Sequence, residues 1–372
     1  MDGERIVLVG GGIGGLATAW FLARRGGREV VLLERERELG AHSSGKNAGI
    51  QLTWAREEAT MLLALETARF LSDPPPGFAP RALADRRGLV LLAADPASPA
   101  LAPWAARKEP GALERVARAG LRRLLPDYEG GAQGALWVRD EGCIDTALLI
   151  EAFARGARAA GASIRTGARV EGFLRDGDAL CGVRLAGGEE LCAATTALAS
   201  GGWAGALGRA AGSRLALRPT RRHILVTGPD PRVDPDGPIL WSEPDAYYAR
   251  PESGGLLISA CDQTDVEPDA CSADESVREL VAEKTARLLP RHADAEAAHF
   301  WAGLRTFAAD ADFLIGPDPD VPGLFWVAAL GGHGMSCSAG IGRLAAELLL
   351  GAAADDPLAP LVAPARRALQ GA

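Results

Sequence analysis

Metal-binding patterns are missing from this chain of 372 residues: its five histidines form no HExxH pair and join no Cys/His cluster, so no metal site is expected. Paired cysteines are missing too. The six present, Cys143, Cys181, Cys192, Cys261, Cys271 and Cys337, show no CxxC spacing, which is the pattern of reduced, structural thiols. No apolar run approaches the about 18–20 residues that span a bilayer; the longest, such as Leu89 to Ala94 and Leu348 to Ala354, are far shorter. The N-terminal apolar run is also too short for a signal peptide, and a glycine-rich turn follows it at once. A cytoplasmic protein without a transmembrane segment is therefore expected. Excess positive charge is lacking as well. A net charge of −8 with no evident basic face argues against nucleic acid as a partner, because phosphates need neutralising cations.

What the chain does have is apolar material and glycine. With 48% hydrophobic residues, its length suggests two domains of ordinary size. The apolar run Ile6-Val7-Leu8-Val9 leads straight into Gly10-Gly11-Gly12-Ile13-Gly14-Gly15, and a second run, Val30-Val31-Leu32-Leu33, ends in Glu34. That is a complete dinucleotide-binding unit. Gly10 permits the tight strand-to-helix turn, Gly12 lets backbone N–H groups approach a pyrophosphate, and Gly15 allows the helix to pack close to the strand. The positive end of the helix then faces the phosphates. Glu34 is placed to accept hydrogen bonds from a ribose, and its charge disfavours the 2′-phosphate of NADP.

After this unit, His42 to Gly49 is a loop of small and polar residues that can lie close to a ligand. Glu57 to Leu71 reads as a helix that Pro74-Pro75-Pro76 stops. Gly88 to Ala94 reads as a strand, and the Ala/Arg/Leu-rich segment through Leu125 as one or two helices closed by Pro126. Asp145 caps a helix that runs to Gly161, and a short strand follows around Ser163 to Arg165. Gly182 to Leu185, Thr195 to Ala199, His223 to Val226 and Gly255 to Ser259 alternate with turns, the pattern of an antiparallel sheet inserted into an α/β framework. Leu324 to Ala329 is a buried strand feeding Gly331-Gly332-His333-Gly334, and Ser338 to Leu350 is a helix. The fold class expected is α/β: a discontinuous Rossmann-type domain with an inserted α+β domain built on an antiparallel sheet.

In order and spacing, these stretches resemble the FAD-dependent D-amino acid oxidase/dehydrogenase family, which includes glycine oxidase, sarcosine oxidase and the D-arginine dehydrogenases. The resemblance covers essentially the whole chain. It is carried by the fingerprint with Glu34, His42 to Gly49, Asp73 to Phe78, Ile144-Asp145-Thr146, Ala199-Ser200-Gly201-Gly202-Trp203, Pro219 to Arg222, Tyr247-Tyr248, Trp301 to Arg305, and Gly331 to Gly334. It implies an FAD-binding domain of residues 1–53, 141–217 and 303–372, and a substrate domain of 54–140 and 218–302. It also implies FAD contacts from Gly10, Gly12, Gly15, Glu34, Arg35, His42, Ser43, Lys46, Asn47, Ala48 and Gly49. Val170 falls on the adenine side, Gly201 and Gly202 on the pyrophosphate side, and Gly334 and Met335 beside the flavin, with Trp203, Gly331 and Gly332 as further FAD contacts. A cysteine that tethers flavin covalently in some members is absent near Gly303, so noncovalent FAD is expected.

The same resemblance places Arg305, Arg222 and Tyr248 on the substrate carboxylate, a planar anion that suits a guanidinium. Arg221, next to Arg222, could carry that contact instead. His333 falls where an aromatic or histidine approaches the flavin; a packed histidine fits equally well. Two departures concern the side chain. Leu89 and Ile50 stand where arginine-oxidising relatives carry a carboxylate and a histidine, so arginine is not the expected substrate. The activity implied is oxidation of the Cα–N bond of a small or apolar D-amino acid, or of glycine or an N-methyl amino acid, to an imine by hydride transfer to flavin N5. Two alternatives remain: 2-hydroxy acid oxidation with the same clamp, and a flavin-binding subunit of a larger amine-oxidising complex. The expected partner is thus a small carboxylate-bearing amine.

Overall fold

The apolar runs at the two ends of the chain meet in one six-stranded sheet. A computed structural model describes residues 5–353, 355–366 and 369; the outer ends of the expected cofactor domain, 1–4 and 370–372, lie outside them. The strand order is Leu314–Pro317, Leu324–Ala328, Thr195–Leu198, Arg5–Val9, Glu29–Leu33, Ser163–Arg165. All neighbours are parallel except the edge strand Leu314–Pro317, which runs antiparallel to Leu324–Ala328. Such strands are covered on both faces, which is why they read as unbroken apolar runs. Helices Ile13–Arg25, Thr146–Ala159 and Ser338–Leu349 share one apolar cluster with that sheet. Trp20 centres its aromatic part, packed edge-on against Phe21, Phe78 and Phe153. Asp145 caps its helix by accepting the Leu148 N–H at 2.9 Å.

A nine-stranded sheet forms the second layer, with Arg218–Thr227 paired along its whole length to Ala297–Phe307. A three-stranded meander, Val170–Asp176, Ala179–Leu185 and Glu190–Cys192, sits apart from both. No helix among the described residues is long and apolar enough to cross a membrane.

Three expectations need correcting. The strands expected to share one inserted antiparallel sheet are divided among three sheets: Gly182 to Leu185 belongs to the meander, and Thr195–Leu198 is a central parallel strand between Arg5–Val9 and Leu324–Ala328. Apolar strands of four residues carry too little pattern to tell those settings apart. The large sheet is also not purely antiparallel, because Ile239–Ser242 runs parallel to Leu89–Leu92. Finally, the segment before Leu125 is not all helix. Pro110-Gly111 interrupts it, and Leu113–Ala117 becomes an edge strand on Gly134–Val138 before the short helix Arg118–Leu124. Pairing to a sheet edge overrides the helix propensity of Ala, Leu and Arg.

A cleft built from both sheets

The glycine turn is as crowded as its sequence suggests. Gly10 has φ +120°, and a Cβ there would lie 2.4 Å from the Ala199 carbonyl oxygen; a Cβ on Gly15 would lie 2.1 Å from the Gly10 carbonyl oxygen. Neither position tolerates a side chain. The turn opens onto a cleft of about 500 Å³. Every residue expected to contact cofactor or substrate carboxylate lines this cleft except Gly15, whose place is the helix–strand contact just described. The wall offers spare donors to an anion. Among the described residues, the N–H groups of Gly12 and Gly14 at the first helix, and of Gly334, Met335 and Ser336 before the last long helix, have no partner. Such orphan donors at helix starts are suited to phosphates and to an electron-rich ring edge.

Glu34 departs from its simple expected role. Its buried carboxylate already accepts the Gly11 N–H at 2.6 Å and the Glu36 N–H at 2.8 Å. It therefore braces the glycine turn and has one acceptor site left per oxygen for a ribose. Arg35 lies 3.9 Å over the Trp203 ring, and Trp203 donates its indole N–H to Asp269 at 2.9 Å. His42 contacts the same indole and bonds Glu36 at 2.9 Å.

The loop from His42 to Gly49 is held from several sides. Asn47 donates to the Ser44 carbonyl and accepts the Gly49 N–H, so its amide shapes the loop. Ser44 accepts the Ile13 N–H at 2.9 Å and thereby ties the loop to the first helix. Trp301 donates to the Lys46 carbonyl at 3.2 Å, and Arg250 to the Ala48 carbonyl at 2.7 Å. Sequence reasoning missed Arg250 and did not single out Ser44 within the loop. Ser44 is one of two adjacent serines, and Arg250 is one of many arginines, so neither carried a distinguishing signal.

The two arginines of the large sheet differ sharply. Period-two alternation settles which of the neighbours Arg221 and Arg222 faces the cleft: Arg222 lines it, whereas Arg221 pairs with Asp274 at 2.8 Å. Arg222 donates to the carbonyl oxygens of Asp262 and Cys261. Arg305 has no hydrogen-bond or ion-pair partner for its guanidinium among the described residues. It lies against Gly332, where a Cβ would come within 2.7 Å of its Cζ. Burial and the neighbouring Arg222 charge push the Arg305 cation down to about 10. The same burial and the same two cations push His333 down to about 4, so its imidazole is neutral at physiological pH. Burial raises the Tyr248 phenol, which keeps its O–H as a donor.

Ile50 lines the cleft, as expected, but Leu89 does not. It lies fully buried in an apolar cluster with Leu52, Trp54 and Trp104. Ile224, Trp241 and Leu52 form part of the wall instead; aromatic and aliphatic residues of a strand look like core in sequence.

Glycine turn, terminal acid, orphan donors at two helix starts and an unpaired cation over one continuous cleft have the form of a dinucleotide-binding site. The chain belongs to the DAO family of FAD dependent oxidoreductases, whose family model matches residues 5–348. It is 29% identical over 364 residues to a glycine oxidase of Pseudomonas aeruginosa, covering 94% of this chain and 95% of that protein. It is 26% identical to a D-amino acid dehydrogenase of Xanthobacter autotrophicus, covering 96% and 98%. The crystal structure of glycine oxidase from Geobacillus kaustophilus superposes with a TM-score of 0.82 at 24% identity, over 98% of this chain and 99% of that one. The protein is thus an FAD-dependent oxidoreductase.

Proposed function

We propose that this enzyme oxidises the Cα–N bond of a small or apolar D-amino acid, of glycine or of an N-methyl amino acid to the imine, which water then hydrolyses. The observation that carries this reading is the Arg305 guanidinium, half-buried beside a second cation and without an ion-pair partner; Asp262, which acts on both cations but does not line the cleft, has its carboxylate bonded to His223. Leaving such a charge unpaired costs several kcal/mol, and a substrate carboxylate offsets that cost on binding. Arg305 is the bidentate anchor in this arrangement. Arg222, fixed by two main-chain carbonyls, adds charge and its remaining N–H groups, and Tyr248 supplies an O–H.

Glu34, the glycine turn and the donors at Gly334 to Ser336 are the residues that would hold FAD, which when bound supplies the hydride acceptor. Pinning the carboxylate removes most of the orientations open to the Cα–H, and orientation is the main protein contribution to such a transfer. Neutral His333 adds no third positive charge beside the substrate nitrogen. The partition into a cofactor domain of 1–53, 141–217 and 303–372 and a substrate domain of 54–140 and 218–302 follows the same reading.

The test is anaerobic bleaching of the purified yellow protein with D-amino acids, L-amino acids, N-methylglycines and 2-hydroxy acids. Rapid bleaching by a D-amino acid or an N-methylglycine supports the proposal, and bleaching by L-amino acids alone overturns it. Bleaching by 2-hydroxy acids alone would transfer the clamp to the other reaction, and bleaching only after addition of a second protein would mark the chain as a subunit.

A further inference from the structure

We infer that the cleft reads the substrate side chain with an apolar wall ending at Trp241, so that the preferred amino acids carry a large uncharged side chain, aliphatic or aromatic, and glycine and its N-methyl derivative are poor substrates. This rests on the amino acid reading above and narrows it.

The wall follows from strand register. Arg222 and Ile224 are two residues apart on one strand and so face the same side; Gly303 and Trp301 stand opposite them. On the other edge Leu225 pairs with Ile258, Ser259 with Tyr248, and Tyr248 with Trp241. Ile224, Ser259, Tyr248 and Trp241 therefore form one row across four strands. With neighbouring strands about 4.8 Å apart, the row extends about 14 Å from Ile224 to Trp241. Its near end adjoins the cations Arg222 and Arg305. Its far end is the Trp241 indole, stacked on Tyr248 at 5.0 Å and 8°. A substrate anchored at the near end with only a hydrogen or methyl for a side chain leaves the far wall uncovered.

Ile50 and Leu52 line the same cleft and pack in the apolar clusters that include Trp241. Their segment is held firmly, because Thr53 gives both its N–H and its hydroxyl to the buried carboxylate of Glu141, and Lys108 answers that charge at 3.0 Å. The cleft wall holds two carboxylates, Glu34 and Asp269, and both are engaged at the dinucleotide end. A cationic side chain finds no partner beside Trp241, and an anionic one finds no cation there.

The test uses the FAD-loaded protein and amine-free carboxylates that cannot be oxidised at a Cα–N bond: acetate, hexanoate, 3-phenylpropionate and glutarate, titrated by the change in flavin absorbance. Each buried methylene is worth about fourfold in affinity, so hexanoate and 3-phenylpropionate should bind at least about thirtyfold tighter than acetate, and glutarate no tighter than acetate. Trp241→Ala should erase most of that advantage, read as the ratio of hexanoate to acetate affinity within the variant. Ile50→Ala, a milder change on the facing wall, should reduce it too and serves if Trp241→Ala does not fold. Affinity that is flat with chain length, or tightest for glutarate, overturns the inference and leaves the amino acid reading standing. Carboxylates that fail to bind at all, or that bind Arg305→Met as well as wild type, overturn both.

Discussion

Replacing Arg305 with methionine should make the substrate-free protein more stable and the enzyme far less efficient. The half-buried guanidinium sits beside Arg222 with no ion-pair partner, the carboxylate of Asp262 that acts on it being bonded to His223, and its lowering from 12.5 to about 10 corresponds to a cost of about 3 kcal/mol for keeping it charged. Methionine fills a similar volume without charge, so a gain of about 1–3 kcal/mol in unfolding free energy is expected, read by urea denaturation without ligand. Loss of the carboxylate's partner costs about 3–5 kcal/mol in binding, and each 1.4 kcal/mol is about tenfold in rate. The variant should therefore lose at least about a hundredfold in kcat/KM on its best substrate, with the flavin spectrum unchanged. A carboxylate ligand should raise the melting temperature of wild type and not of the variant. A less stable variant with near-normal efficiency would refute the reasoning on both counts.

Glu34→Ala should shed FAD on extended dialysis and loosen the glycine turn, since each charge-assisted hydrogen bond lost is worth about 1.5–3 kcal/mol; full flavin content after dialysis would remove Glu34 from the cofactor site. Acid precipitation should release the yellow chromophore as intact FAD, because no cysteine lies where a tether is expected; colour left in the pellet would show a covalent bond. The fold holds His333 neutral, its pKa lowered from 6.5 to about 4, so its contribution to stability is complete above about 6.5 and disappears as pH falls towards 4. Melting temperature should fall more steeply over that window in wild type than in His333→Asn; parallel curves would argue against the burial of a neutral imidazole.

The parts of this molecule most legible in the sequence were those fixed by local sterics. Gly10 and Gly15 leave no room for a Cβ, and Asp145 caps its own helix, so each declared its role within a few residues. The carboxylate clamp was legible only through resemblance: nothing local separates Arg305, which is unpaired, from Arg221, which is tied to Asp274. The sheet to which a strand belongs is set by partners more than a hundred residues away, as for Thr195–Leu198 between Arg5–Val9 and Leu324–Ala328. For the same reason Leu89, which aligns by position with a substrate contact, packs in one apolar cluster with Leu52, whereas Trp241, which looks like core in sequence, lines the cleft.

The loop at residues 42–49 hangs from the far sheet by two main-chain carbonyls, that of Lys46 on the Trp301 indole and that of Ala48 on the Arg250 guanidinium. Anyone exchanging the large sheet for that of a relative, to graft a new substrate preference, would be exchanging the suspension of this cleft-lining loop as well. A chimera that keeps Arg250 and Trp301 preserves both attachments. One that drops them trades specificity against cofactor retention, and selection on activity alone would not reveal which of the two had been lost.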